Sequence, residues 1–131
     1  MSQVPADLHY TRTHEWVRAL PDGTLEIGIT DHAQHALGDL VGVEMPQVGR
    51  KVSAGEYCAG VESVKTFSEV YSPVSGTVSA ANERLNSEPE IINKDAYHEG
   101  WLLRLQPAPG AAAPALLTSL EYQKLLETEG G

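Results

Sequence analysis

Gly60-Val61-Glu62-Ser63-Val64-Lys65-Thr66-Phe67-Ser68-Glu69-Val70-Tyr71-Ser72-Pro73-Val74-Ser75-Gly76-Thr77 places a single lysine between two runs of alternating, β-favouring residues. The pattern predicts a β-hairpin with Lys65 at its tip. Hairpin loops lie at the surface on a rigid base, so the Lys65 amine should stand clear of the sheet, within reach of another protein. That is the placement a modification site requires.

Around this hairpin the chain reads as many short strands. Tyr10 to Leu20 is rich in strand formers, Pro21-Asp22-Gly23 supplies a turn, and Thr24 to Ile29 should return. Thr30 or Asp31 can cap a short helix through His32 to Leu37, stopped by Gly38. Leu40 to Glu44, Glu56 to Val61 and Thr77 to Ala80 read as strands, and Trp101 to Leu105 as the last. Ser87-Glu88-Pro89-Glu90 has the form of a capping box ahead of a helical piece at Ile91 and Ile92. Residues 107–114 form a Pro/Ala connector to a C-terminal helix over 115–129, boxed by Thr118 and Glu121, with Tyr122, Leu125 and Leu126 on its buried side. Short strands at this spacing favour a small sandwich or barrel over βαβ units.

A chain of 131 residues, 41% apolar, supports one domain spanning 1–131. Eighteen acidic against nine basic residues give a net charge of -9, which disfavours nucleic acid and anionic membrane surfaces and favours protein partners with basic docking faces. The one cysteine, Cys58, forms no intramolecular disulfide and is expected buried and inert, in keeping with a reducing, cytoplasmic setting. The first ten residues have neither a secretory nor a transit-peptide pattern, and no stretch has the length of a membrane span.

The histidines have plainer readings than metal chemistry. His14-Glu15 begins like a zinc-protease helix, but the second histidine position holds Arg18. His32 and His35 lie one helical turn apart without a third ligand nearby in sequence, so a polar helix face is expected and no metal site.

Glu62-Ser63-Val64-Lys65 followed by Ser72-Pro73-Val74-Ser75-Gly76 resembles the lipoyl-attachment segment of the glycine cleavage system H proteins. Thr13-His14-Glu15-Trp16-Val17, Gly28-Ile29-Thr30-Asp31-His32-Ala33-Gln34, Leu37-Gly38-Asp39 and Gly100-Trp101-Leu102 extend the resemblance in order, over nearly the whole chain from Leu8 onward. Biotin carriers are similar in fold but flank their lysine with methionines, where this chain has Val64 and Thr66; lipoyl domains of 2-oxoacid dehydrogenases more often have Asp before the lysine.

The resemblance implies a mainly β, lipoyl-domain-like barrel-sandwich hybrid of two antiparallel sheets with short peripheral helices and a C-terminal helix. It implies a non-catalytic carrier with lipoate in amide linkage to Lys65, receiving the aminomethyl group of glycine from the pyridoxal-phosphate-dependent glycine decarboxylase (P protein). The folate-dependent aminomethyltransferase (T protein) would unload it and dihydrolipoamide dehydrogenase (L protein) reoxidise it. Lipoylating enzymes would recognise Glu62, and Glu15, assisted by Glu69, would line a cleft for the loaded arm. The family precedent is a monomer that docks transiently. An H-like relay of lipoate to other lipoylated proteins or to sulfur metabolism is the alternative, and an unmodified structural Lys65 the third. Two positions depart from the family: Phe67, where a small residue is usual, and His98, where Gly is usual.

Overall fold

Trp16 decides where the first sheet can close. Its indole is fully buried, and its Nε1 donates to the Ala96 carbonyl at 2.8 Å, so the strand that carries it must lie beneath the Ala96 loop. The computed structural model describes residues 3–110 and 116–129. β1 (His9–Tyr10), β2 (Glu15–Ala19) and β3 (Leu25–Ile29) form an antiparallel meander, with Tyr10 opposite Trp16 and Trp16 opposite Gly28. A Cβ on Gly28 would stand 2.7 Å from the indole, so the cross-strand neighbour has to be glycine.

The sheet continues through β9 (Leu103–Pro107) and β8 (Gly76–Ala81) to β5 (Lys51–Val52), in the order β1-β2-β3-β9-β8-β5. A second sheet has the order β4-β6-β7, from β4 (Leu40–Glu44), β6 (Tyr57–Ser63) and β7 (Phe67–Tyr71). All pairings are antiparallel, which agrees with the expected two-sheet architecture. Between the sheets lies the main core, in which Ile27, Val61, Val70, Val78, Leu103 and Leu105 are buried. Burying each such aliphatic side chain contributes roughly 1.5–3 kcal/mol.

Among the described residues, three short helices pack around the sheets. α1 (Asp31–Leu37) starts at Thr30, whose Oγ1 accepts from the Ala33 N–H, and stops at Gly38, which adopts φ +84°. α2 (Ile91–Lys94) follows a 3-10 turn over Glu83–Asn86. α3 (Ser119–Thr128) begins in a complete capping box between Thr118 and Glu121 and buries Tyr122 against a second apolar cluster containing Leu8, Tyr10, Trp16, Tyr97 and Leu117. Tyr10 and Tyr122 stack there at 4.7 Å. Among the described residues no helix is long and apolar enough to cross a membrane.

Four expectations need correction. The strand expected over Tyr10 to Leu20 is a hairpin: β1 and β2 are separated by a turn at Thr11–His14, in which the Thr11 N–H donates to the Glu15 carbonyl. Ser87 is not an N-cap. It sits in the helical region at φ -101°, ψ -22°, closes the preceding 3-10 turn, and its hydroxyl donates to the Arg84 carbonyl. The last strand begins at Leu103 rather than Trp101, because the Trp101 N–H is spent on the His98 carbonyl and its own carbonyl accepts from Asn82 Nδ2 at 2.8 Å. The C-terminal helix starts at Ser119, and positions 111–115 of the expected connector and helix lie outside the described residues.

Candidate functional site

Lys65 stands at the tip of the β6–β7 hairpin, as its flanking alternation predicts. The loop is locked by Ser63. Its hydroxyl accepts from the Lys65 N–H at 3.2 Å and the Thr66 N–H at 3.1 Å and donates to the Thr66 carbonyl, which uses its whole hydrogen-bonding capacity. The Ser63 N–H also reaches the Thr66 carbonyl, and the Val64 N–H reaches Asp39. With its backbone held on both flanks, Lys65 is exposed, and its Nζ donates to the Ala36 carbonyl at 3.1 Å in the last turn of α1. Gly38 lies beneath the side chain: even a Cβ there would come only to 3.4 Å from Lys65 Cε.

Glu62, three residues before Lys65, is exposed on β6 between Gly42 and Phe67 in register. The absence of a side chain at Gly42 leaves its carboxylate open on the β4 side. Phe67 lies across Gly60, where a Cβ would overlap its ring, so this departure from the family pattern packs at the base of the hairpin while remaining half exposed. Val41 on β4 and Val64 in the loop are exposed as well.

Glu15 occupies a different environment. Its carboxylate is almost fully buried, where it accepts from the hydroxyls of Thr11 and Thr13 and from the Tyr71 N–H at 3.4 Å. Burial pushes its pKa above the ordinary glutamate value, and the two threonine hydroxyls and the Tyr71 N–H oppose that shift. It lines a cavity of about 590 Å³ with Thr11, Arg12, Thr13, Gly55, Tyr71, Ser72, Pro73 and Leu116. Glu69 is not among the cavity residues. It is exposed on β7 and reaches the rim through Tyr71, whose hydroxyl donates to Glu69 Oε1 at 3.4 Å. The negative charge of Glu69 raises the Tyr71 pKa.

The site thus has two parts: an exposed amine at the tip of β6–β7 in the three-stranded sheet, and a cavity at the opposite end of β7 to which the six-stranded sheet brings Glu15. The family described as Glycine cleavage H-protein matches residues 8–129. The glycine cleavage system H protein of Nitrosospira multiformis is 57% identical over 126 residues, 96% of this chain and 97% of that one. That of Halorhodospira halophila is 54% identical over 130 residues, 99% of this chain and all of that one. A crystal structure of the glycine cleavage system H protein from Mycobacterium marinum superposes with a TM-score of 0.83 at 41% identity, covering 98% of this chain and 100% of that one.

The chain belongs to the glycine cleavage H-protein family.

Within this H-protein fold, the sequence singled out Lys65, Glu62, Glu15 and Glu69 but not Thr11, Thr13 and Tyr71, which hold Glu15, nor Arg12, which lines the same cavity. Thr11 and Thr13 flank the Glu15 motif closely enough that a search for hydroxyl donors near it would have found them. Tyr71 is 56 positions away and is brought in only by the packing of the two sheets. Cys58 is buried, and desolvation pushes its thiol up to about 12, in line with the inert role expected of it. His98 is largely exposed beside Asp95, and the loop accommodates it without loss of the Gly100 N–H bond to the Asp95 carbonyl.

His14 and His32 come together in a way their sequence separation hides. His14 takes φ +71°, unusual for a residue with a side chain, and turns its ring toward α1 and α3. Its Nδ1 lies 2.7 Å from the Tyr122 hydroxyl and its Nε2 lies 3.2 Å from Glu129 Oε1. Burial holds its pKa below the ordinary histidine value, with Glu129 opposing and His32 adding to the shift. His35, by contrast, faces Asp31 at 3.9 Å.

Proposed function

We propose that this chain is the lipoyl carrier of the glycine cleavage system, with Lys65 as the attachment residue. The observation that carries the reading is the placement of one exposed lysine on a hairpin tip whose backbone is locked by Ser63, in a chain of this family. Lipoate, held as an amide on Nζ, would supply a dithiolane able to take up the aminomethyl group of glycine and to be reoxidised afterwards. The residues present suit that group: Gly38 leaves room beneath the side chain, and Nζ donates to one carbonyl that an amide N–H can also reach.

The rest of the site gives the arm direction and a resting place. Lys65 and Tyr71 are six residues apart, about 20 Å along an extended strand. A lysine side chain with its acyl arm spans on the order of 15 Å. The end of the arm therefore reaches Glu69 and the Tyr71 hydroxyl bonded to it, at the rim of the cavity. A carboxylate near an ammonium gains ~1 kcal/mol in water and more where water is partly excluded, enough to favour the rim at Glu69 for the loaded arm. Glu62 stands on the exposed face where a lipoylating enzyme would read it.

The chain contributes no catalytic step of its own. The glycine decarboxylase would load it, the aminomethyltransferase unload it and dihydrolipoamide dehydrogenase reoxidise it, each docking near Lys65, where Val64 and Phe67 are exposed, on a chain of net charge -9. One buried, unreactive cysteine suits a reducing compartment, and we place the carrier in the cytoplasm as a monomer. The test is a reconstitution with the three enzymes, lipoate and a lipoylating enzyme. Wild type should support glycine-dependent NADH formation and Lys65→Arg should reduce it to background while keeping the wild-type unfolding midpoint. Undiminished turnover in Lys65→Arg would refute the assignment.

A further inference from the structure

Outside the hairpin and its cavity, His14, His32 and Glu129 each place a ligand atom within 4.8 Å of the others. They come from three separate elements: the turn before β2, the first turn of α1 and the residue that ends α3. His14 Nε2 and Glu129 Oε1 are 3.2 Å apart, and the two imidazole rings lie 4.9 Å apart and tilted by 35°. Around a tetrahedral zinc ion with bonds of about 2.0–2.1 Å, neighbouring ligand atoms stand roughly 3.3 Å apart. The His14–Glu129 pair already has that spacing. His32 has to approach by at most about 1.5 Å, which a side-chain torsion supplies.

We propose that His14, His32 and Glu129 form a binding site for a divalent transition-metal ion of the zinc class, with water completing the coordination. Two imidazoles and a carboxylate are the donor set that borderline ions prefer, and the set is poor for calcium or magnesium, which take oxygen ligands. The surroundings also provide what a ligating histidine needs on its far side. With Nε2 turned to the ion, His14 Nδ1–H donates to the Tyr122 hydroxyl, and that hydroxyl donates to Thr30 Oγ1, 2.7 Å away. Thr30 is in turn held by its capping bond from the Ala33 N–H, so the supporting chain runs into α1, the same helix that presents His32.

An ion at this point ties the end of the C-terminal helix to the turn that leads into Glu15. The plainer arrangement, a His14–Glu129 ion pair with the His32 ring tilted beside it, predicts no metal binding beyond that of scattered surface histidines. The two are separated by titrating the chelator-treated full chain with Zn²⁺ by calorimetry and with Co²⁺ by visible absorption. The expected result is one ion per chain, Co²⁺ bands of low coordination number, and a loss of affinity of at least about tenfold in both His32→Ala and Glu129→Gln. His35→Ala should bind as wild type does. His14 is left unchanged because its backbone conformation and its bond to Tyr122 also serve the fold, and circular dichroism of the two variants checks that they fold. Less than one ion per chain, or wild-type affinity in either His32→Ala or Glu129→Gln, overturns the site.

Discussion

At the scale of single residues, Ser63 matters to Lys65 as much as any neighbour on the surface. It is buried at the base of the loop, and its hydroxyl is the common partner of the two backbone N–H groups that set the direction of the lysine. Ser63→Ala should cost about 1 kcal/mol of stability, since the freed N–H groups can turn to water, and should slow lipoate transfer to Lys65 by loosening the loop. Urea unfolding and a lipoylation time course check both effects; unchanged transfer would mean that the loop keeps its shape without the hydroxyl. Glu15 gives a prediction of a different kind. A carboxyl whose pKa is raised on folding binds its proton more tightly in the native state, so its contribution to stability is fully present below the unfolded value and is lost as pH rises through the folded value. Glu15→Gln removes that titration. The stability of wild type relative to Glu15→Gln, followed by urea denaturation, should therefore fall as pH rises above the ordinary glutamate value of about 4.3. A difference that grows with pH would show that the Thr11 and Thr13 hydroxyls outweigh burial.

At the scale of elements, what could be read in advance depended on whether the deciding interaction was local. The β6–β7 hairpin follows from alternation on both sides of Lys65, and the start of α3 follows from Thr118 and Glu121, which sit three residues apart and bond each other reciprocally. Thr118→Ala should remove that box and cost about 1 kcal/mol, and the loss should appear first in hydrogen exchange of α3, before global unfolding. Equal protection of α3 in the variant would contradict the capping role. Ser87-Glu88-Pro89-Glu90 carries much the same letters and behaves otherwise. An N-cap needs extended backbone, as at Thr118 with ψ 169°, whereas the 3-10 turn before Ser87 leaves it helical. The break between β1 and β2 was hidden for a related reason. Thr11 and Thr13 favour strands in general, but here their hydroxyls are committed to the Glu15 carboxylate, and that competes with the ladder.

At the scale of the molecule, two sheets carry one function between them. The three-stranded sheet presents Lys65 and Glu62, and the six-stranded sheet brings Glu15 under β7, so that cavity and lysine are joined through a single strand. The lysine was legible because its flanking motif is continuous in sequence. The walls of the cavity were not, because Thr11, Gly55, Tyr71 and Leu116 meet only when the sheets pack. The His14, His32 and Glu129 cluster was hidden in the same way, since its members span the chain from its first strands to its last helix. The central claim is that this scaffold exists to carry a group on Lys65. Intact mass of the protein purified from its own host, with fragmentation to locate any adduct, tests it most directly. The account predicts a lipoyl-sized increment on Lys65 alone, which gains an aminomethyl group on incubation with glycine and the decarboxylase. Bare polypeptide, from cells shown to lipoylate other proteins, would contradict it.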